Sequence, residues 1–259
     1  MNVSKAGLQL AALLGPLIFC VVAIHLIEQF TQRRMTKYFG WKSNLWTGWL
    51  GAPVHEYSHA IVARIFGHRV QKIVPFQPDK ESGRLGYVQL AYDPKNWWQT
   101  TGHFFVCYAP LLGGTISLLL LTLIFYPQAF NAWDQVSANG EAQNQLKPAL
   151  QQIGQIVTLE NLATIRFWLF SYLVLCIGCH MAPSSVDYVS SKRAHWQVLP
   201  FALIGLAIFI LLGGLPSSLD QLITPTFMIL QANLIFATLL CLMVMTILYI
   251  ITEMVKWLS

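Results

Sequence analysis

The sequence predicts an all-α polytopic membrane protein of about six transmembrane helices, with a small β-hairpin-like insertion between helices 2 and 3. Hydrophobic residues make up 55% of the 259-residue chain and charged residues only 10%, whereas a soluble domain carries about 25% charged residues. Several apolar runs reach the roughly 20 residues that a helix needs to cross a bilayer. No low-complexity tail, solenoid repeat or second soluble domain interrupts them, so residues 1–259 read as a single membrane-embedded domain.

The apolar run after Lys5 continues without a small-x-small cleavage site and meets Arg33-Arg34. It reads as a retained first span over 7–28 rather than a removable signal peptide. A second span covers 44–66. Residues 67–100 are polar, and within them Val70–Phe76 and Gly86–Tyr92 are short aromatic and β-branched runs separated by Pro78, Asp79 and Gly83. That pattern is a hairpin signal. Asn96-Trp97-Trp98-Gln99 then reads as an interfacial anchor before a third span, 101–126. The Gln-, Asn- and Ala-rich stretch 127–164 reads as partly helical and carries no evident chemistry. Spans at 165–188, 197–216 and 225–256 follow, the last long enough to tilt.

The net charge of +5 comes from basic residues scattered through short loops, with no Lys/Arg stripe interleaved with aromatics. No nucleic-acid partner is expected, and the lipid bilayer is the surface this charge addresses. Six spans place both termini on one side, where ten basic residues gather against six opposite. The expectation is a multi-pass protein of the cell (plasma) membrane with both termini cytoplasmic. The five cysteines fall in or beside apolar runs and read as small buried hydrophobes. Cys176-Ile-Gly-Cys179-His180 matches the haem-attachment pattern C-x-x-C-H, but inside an apolar span the match reads as accidental.

The chemistry concentrates in His55-Glu56-Tyr57-Ser58-His59. Residues four apart share a helix face, so His55 and His59 can offer two imidazoles to one metal. Glu56 beside them is placed to act as general base on a zinc-bound water. A carboxylate at membrane depth costs about 2.5–3.5 kcal/mol on insertion scales and is a functional hypothesis by default. A catalytic zinc keeps three protein ligands and an open position. Most other acidic residues lie in loops or at span ends on the wrong side, and Asp187 differs. His59 lies eight residues before Gly67, about 12 Å along a helix, and Asp187 five before Lys192, about 8 Å. The depths are compatible, making Asp187 the expected third ligand.

These residues resemble the site-2 protease family of intramembrane zinc metalloproteases. The likeness extends through Ala60–Gly67, the hairpin-like loop, Tyr108-Ala-Pro-Leu-Leu-Gly-Gly114 and the Pro-containing span ending in Asp187. It covers about 44–190, a catalytic core flanked by generic helices at about 7–28, 197–216 and 225–256. His180 stands where the family has Asn, the interval from Pro183 to Asp187 is one residue shorter than in many members, and Tyr188 replaces Gly. The resemblance implies a zinc metalloendopeptidase that binds one Zn2+ per chain through His55, His59 and Asp187. Its partner would be a membrane-protein substrate with a transmembrane segment, cleaved in or near that segment. A substrate strand could pair with the hairpin edge.

Ala109, Pro110 and His180 are expected to line the site, His180 also as an alternative ligand. Pro110 with Gly113-Gly114 would loosen the third helix, for close packing or for a water path. His25 and Glu28, one turn apart, suggest a mutual hydrogen bond, and His68, His103 and His195 suggest interfacial positions. A non-proteolytic membrane metal-binding protein or transporter is the alternative from another class. A prenyl-protein-protease-like enzyme would need an intramembrane Glu as third ligand, and no later span supplies one.

Overall fold

A computed structural model describes residues 3–130, 146–211 and 217–258. Its helices in chain order are α1 (Val3–Phe39), α2 (Ser43–Ile65), α3 (Trp97–Phe125), α4 (Leu146–Ile156), α5 (Leu159–Leu162), α6 (Ile165–Gly178), α7 (Ser185–Leu211) and α8 (Ser217–Leu258). A 3-10 turn, Pro127–Phe130, follows α3. The expected hairpin forms between α2 and α3 from β1 (Arg69–Val74) and β2 (Tyr87–Ala91). They pair antiparallel, Val70 opposite Leu90 and Val74 opposite Tyr87, with an irregularity between Val70 and Lys72. Of the stretch 127–164, residues 131–145 lie outside the described residues.

Local sequence explains where α2 stops. Gly67 takes φ +76°, a conformation that costs glycine little. Gly67 N–H donates to the Arg64 carbonyl (3.0 Å) and His68 N–H to that of Ala63 (2.9 Å), the paired bonds that close a helix through a left-handed residue. At the start of α3, Asn96 caps the helix by accepting from Gln99 N–H, as its residue type favours.

Among the described residues, four helices are long and apolar enough to cross a membrane: Leu10–Phe39, Trp97–Phe125, Ser185–Leu211 and Leu230–Met254. They leave large apolar side chains such as Phe19, Ile124, Ile204 and Ile251 exposed, which suits lipid and not water. α2 is long enough at 23 residues, but Thr47, His55, Glu56, Ser58 and His59 dilute its apolar run. α6 has only 14 residues. Phe167, Phe170 and Val174 of α6 pack with Ile24 of α1, Leu118 of α3 and Phe236 and Leu240 of α8 in a fully buried core.

Contacts between helices fix their directions. α2 runs antiparallel to α3, with Ser58 against Gly113 and Phe66 against Gly102. α6 meets the end of α3 through Phe170 and Phe125. Farther along, Met181 lies against Gly114, His195 of α7 against Tyr108 (3.2 Å), and Phe201 against Trp97. Residues 165–201 therefore follow α3 from its end to its start as one interrupted run. α6 and α7 share a direction, so 165–188 and the described part of 197–216, residues 197–211, do not form two opposed crossings as six spans require; 212–216 lie outside the described residues. The physical reason is a backbone break at 179–184, after which the chain continues onward instead of turning back.

α1 and α8 run parallel: Gln231 reaches Ala12 near their beginnings, and Arg34 reaches Thr252 near their ends. The Val3 end of α1 and the Leu258 end of α8 consequently lie at opposite ends of the bundle, against the expectation that both termini share a side.

Candidate metal centre

Helical spacing places His55 and His59 on one face of α2, with ring centroids 4.7 Å apart and Nε2 atoms 3.1 Å apart. Asp187 comes from the first turn of α7, its Oδ2 3.5 Å from His55 Nε2 and its Oδ1 3.3 Å from His59 Nε2. Among the described residues these three form the group of donors able to hold one metal ion, with ligand atoms within 4.8 Å of one another. The contact expected between α2 and Asp187 is present, although Lys192 lies inside α7 and not at the end of a span.

The hydrogen bonds on the far side of each ring decide what the near side offers. His55 Nδ1 lies 2.8 Å from the His180 carbonyl and His59 Nδ1 2.7 Å from the Val106 carbonyl. A carbonyl only accepts, so in both rings Nδ1 carries the proton and a neutral ring has a bare lone pair on Nε2. Two such lone pairs and a carboxylate converge on one point, where nothing in the trio donates. A positive charge there, whether a proton on either ring or a metal cation, relieves that repulsion. A tetrahedral zinc with ligands at about 2.0–2.2 Å would set its donors about 3.3–3.6 Å apart, close to the separations present, so the residues fit the ion.

Asp187 is held by its own helix start. Ser184 N–H donates to Asp187 Oδ2 (2.7 Å), as does the Ser184 hydroxyl (2.6 Å). Asp187 N–H returns a bond to Ser184 Oγ (3.3 Å), completing a reciprocal capping box. The same cap frees the acceptor used by His55. In a continuous helix Ser184 N–H would go to the carbonyl of His180, and here it goes to Asp187. Pro183 has no N–H to substitute for it.

α1 secures the break from the other side. Glu28 accepts from Ala182 N–H (2.7 Å) and from Gln32 Nε2 (3.1 Å), and Gln32 also donates to the Cys179 carbonyl. His25 pairs with Gln29, so the expected His25–Glu28 bond is replaced by contacts of each with other partners. The His180 ring is tied by Nε2 to Thr47 Oγ1 (3.1 Å) and rests on Gly51. A Cβ at Gly51 would collide with that ring and with the Cys176 carbonyl. His180 thus serves the site through its main-chain oxygen and stands outside the donor trio.

Glu56, His55, His59 and Asp187 line a cavity of about 1080 Å³ that extends to the hairpin turn and β2 and to Glu28 of α1. Val106 and Cys107 line it from α3. Ala109 and Pro110, expected at the lining, are buried one turn farther along and do not border the cavity. The reason is that α3 passes through Pro110 without a break, and Gly113-Gly114 serve close approach of Ser58 and Met181. His68 and His103 are also buried, stacked with Tyr92.

Sequence reasoning missed Ser184 and Thr47, and it placed Glu28 with His25 instead of with Ala182 and Gln32. Ser184-x-x-Asp187 after Pro183 is a helix-start signal that an apolar-run reading of 165–188 passed over. Comparison with protein-family models, with curated proteins and with solved structures returns no match to this chain.

Proposed function

We propose that this chain is an intramembrane zinc metalloendopeptidase of the kind its motifs resemble, the site-2 proteases, hydrolysing peptide bonds in or near transmembrane segments of membrane proteins. The observation that carries the reading is the convergence of three lone-pair donors, His55, His59 and Asp187, beside Glu56 in one cavity. Four long apolar helices in the same chain support a multi-pass membrane location. His55, His59 and Asp187 would hold the zinc, which when bound would supply Lewis acidity and make a water reactive near neutral pH.

Glu56, adjacent to His55 and facing the cavity, takes a proton from the attacking water and delivers it to the leaving amine nitrogen. The Val106 and His180 carbonyls keep the two imidazoles in the tautomer that leaves Nε2 unprotonated. β2 borders the same cavity, and its edge is suited to pair with an unwound substrate strand. The parallel course of α1 and α8 supports termini on opposite sides of the bilayer, which reporter fusions at each end would test.

Glu56→Gln tests the chemistry. It should retain zinc and lower cleavage of a transmembrane-peptide substrate by about 10²–10⁴-fold, the usual weight of a general base. Zinc retention with undiminished cleavage would remove the mechanism. A wild-type protein that binds zinc and cleaves no such peptide would favour a metal-binding or transport role.

A further inference from the structure

A helical carbonyl ordinarily accepts from the N–H four residues on, so a side chain from another helix has to share it through the second lone pair, as Tyr172 does at the Trp46 carbonyl. Proline at that later position has no N–H, and its ring crowds the carbonyl away from the axis. Pro110 stands four residues after Val106, inside an α3 that remains helical from Trp97 to Phe125. The Val106 carbonyl therefore lacks its helical donor, and His59 Nδ1 approaches it at 2.7 Å. A second proline does the same elsewhere in the molecule. Pro16 of α1 releases the Ala12 carbonyl, and buried Gln231 of α8 donates to it at 3.0 Å. The pattern, a proline opening a main-chain acceptor to a polar group on another helix, thus occurs twice on independent helix pairs.

We propose that Pro110 is a positioning residue of the metal centre: by withholding a donor from Val106 it gives His59 an acceptor that fixes its tautomer and ring orientation toward the metal. This rests on the metal-centre reading above. A main-chain carbonyl suits the task because it cannot titrate and adds no further charge beside Asp187 in a poorly solvated interior. His55 obtains its acceptor differently, from the break at 179–184, so both ligand rings depend on carbonyls removed from helical bonding.

The test separates the missing donor from the proline ring. Full-length protein in detergent is prepared as wild type, as Pro110→Ala, and with an α-hydroxy acid at position 110. The last form has an ester linkage and lacks both the N–H and the ring. Zinc affinity is read by chelator competition, and the ligand field by the visible bands of the cobalt-loaded forms. Pro110→Ala restores the helical donor and should weaken zinc binding about 10–100-fold, the usual cost of losing an outer hydrogen bond to a ligand, with shifted cobalt bands. The ester form should bind like wild type, and it carries the test alone should the alanine form fail to fold. Pro16→Ala, distant from the donors, should change zinc affinity by no more than about twofold. Unchanged affinity in Pro110→Ala, an ester form that has lost affinity, or an equal loss in Pro16→Ala each overturns the inference. Wild-type protein that binds no zinc overturns the metal-centre reading itself, and is thereby distinguishable.

Discussion

The two halves of the candidate metal centre are built in different ways. α2 supplies His55 and His59 from one uninterrupted helix, where a separation of four residues alone brings the rings together. The segment 179–187 supplies Asp187 and the His180 carbonyl from irregular chain, and its position depends on contacts with other elements. Glu28 and Gln32 hold it from α1, Thr47 and Gly51 from α2, and Ser184 locally. The helical half is encoded by local periodicity and the irregular half by tertiary hydrogen bonds. If the trio holds a metal, substitutions in the irregular half should therefore weaken its binding even where no donor is removed.

The largest effect is expected from Asp187→Ala, which deletes the donor of the irregular half. Metal analysis of detergent-purified protein should fall from about one zinc per chain to near none, since two imidazoles alone make an incomplete site. Full zinc occupancy in this variant would move the third ligand elsewhere. Gly51→Ala comes next because it strikes the seam between the halves. Its methyl would collide with the Cys176 carbonyl and the His180 ring, and a forced shift of this kind costs about 1–3 kcal/mol. Thermal unfolding in detergent should show that loss together with weakened zinc binding. A fully stable Gly51→Ala would mean that α2 and the break can separate without consequence, and the proposed seam would not exist.

Ser184→Ala sharpens the contrast further, for it removes no metal donor. Loss of the cap should cost about 1 kcal/mol and weaken zinc binding about 10–100-fold by releasing Asp187. Chelator competition measures the second effect and thermal unfolding the first. A variant losing stability without losing zinc affinity would show that Asp187 is held by other means.

The same division explains how much was legible in the sequence. HEYSH could be placed on a helix and its two rings on one face because the relation is local. The hairpin was legible because turn residues separate its two β-branched runs; Asp187 stood out as an acidic residue within an apolar run, whereas the depth comparison that favoured it placed a span end at Lys192 that α7 runs through. The interruption at 179–184 was hidden inside an apolar run, since hydropathy does not distinguish helical from non-helical backbone. With the break hidden, 165–188 and 197–216 read as opposed crossings and the termini as lying on one side. The acceptors for His55 and His59 were beyond reach because they are main-chain oxygens, for which no residue type stands. Pro110 reads as a helix disturber, yet its consequence appears at Val106, four residues earlier and facing another helix.

The smallest effect is expected where α2 stops being self-contained. His68 follows the Gly67 turn, stacks on Tyr92 of the hairpin loop and on His103 of α3, and donates from Nε2 to the Gln99 carbonyl (2.7 Å). Burial holds its pKa below the ordinary histidine value and outweighs the opposing pull of the Gln99 carbonyl. The unfolded chain then takes up a proton at about pH 6.5 while the folded chain still resists it. Stability from this site is present above that pH and is lost as pH falls toward the lowered folded value. Unfolding temperatures at pH 7.5 and pH 5.5 should therefore differ less in His68→Phe, which keeps an aromatic stack and cannot titrate, than in wild type. An unchanged difference would mean that the end of α2 is as locally determined as its middle, and the boundary between the two kinds of construction would have to be drawn after His68, within the hairpin.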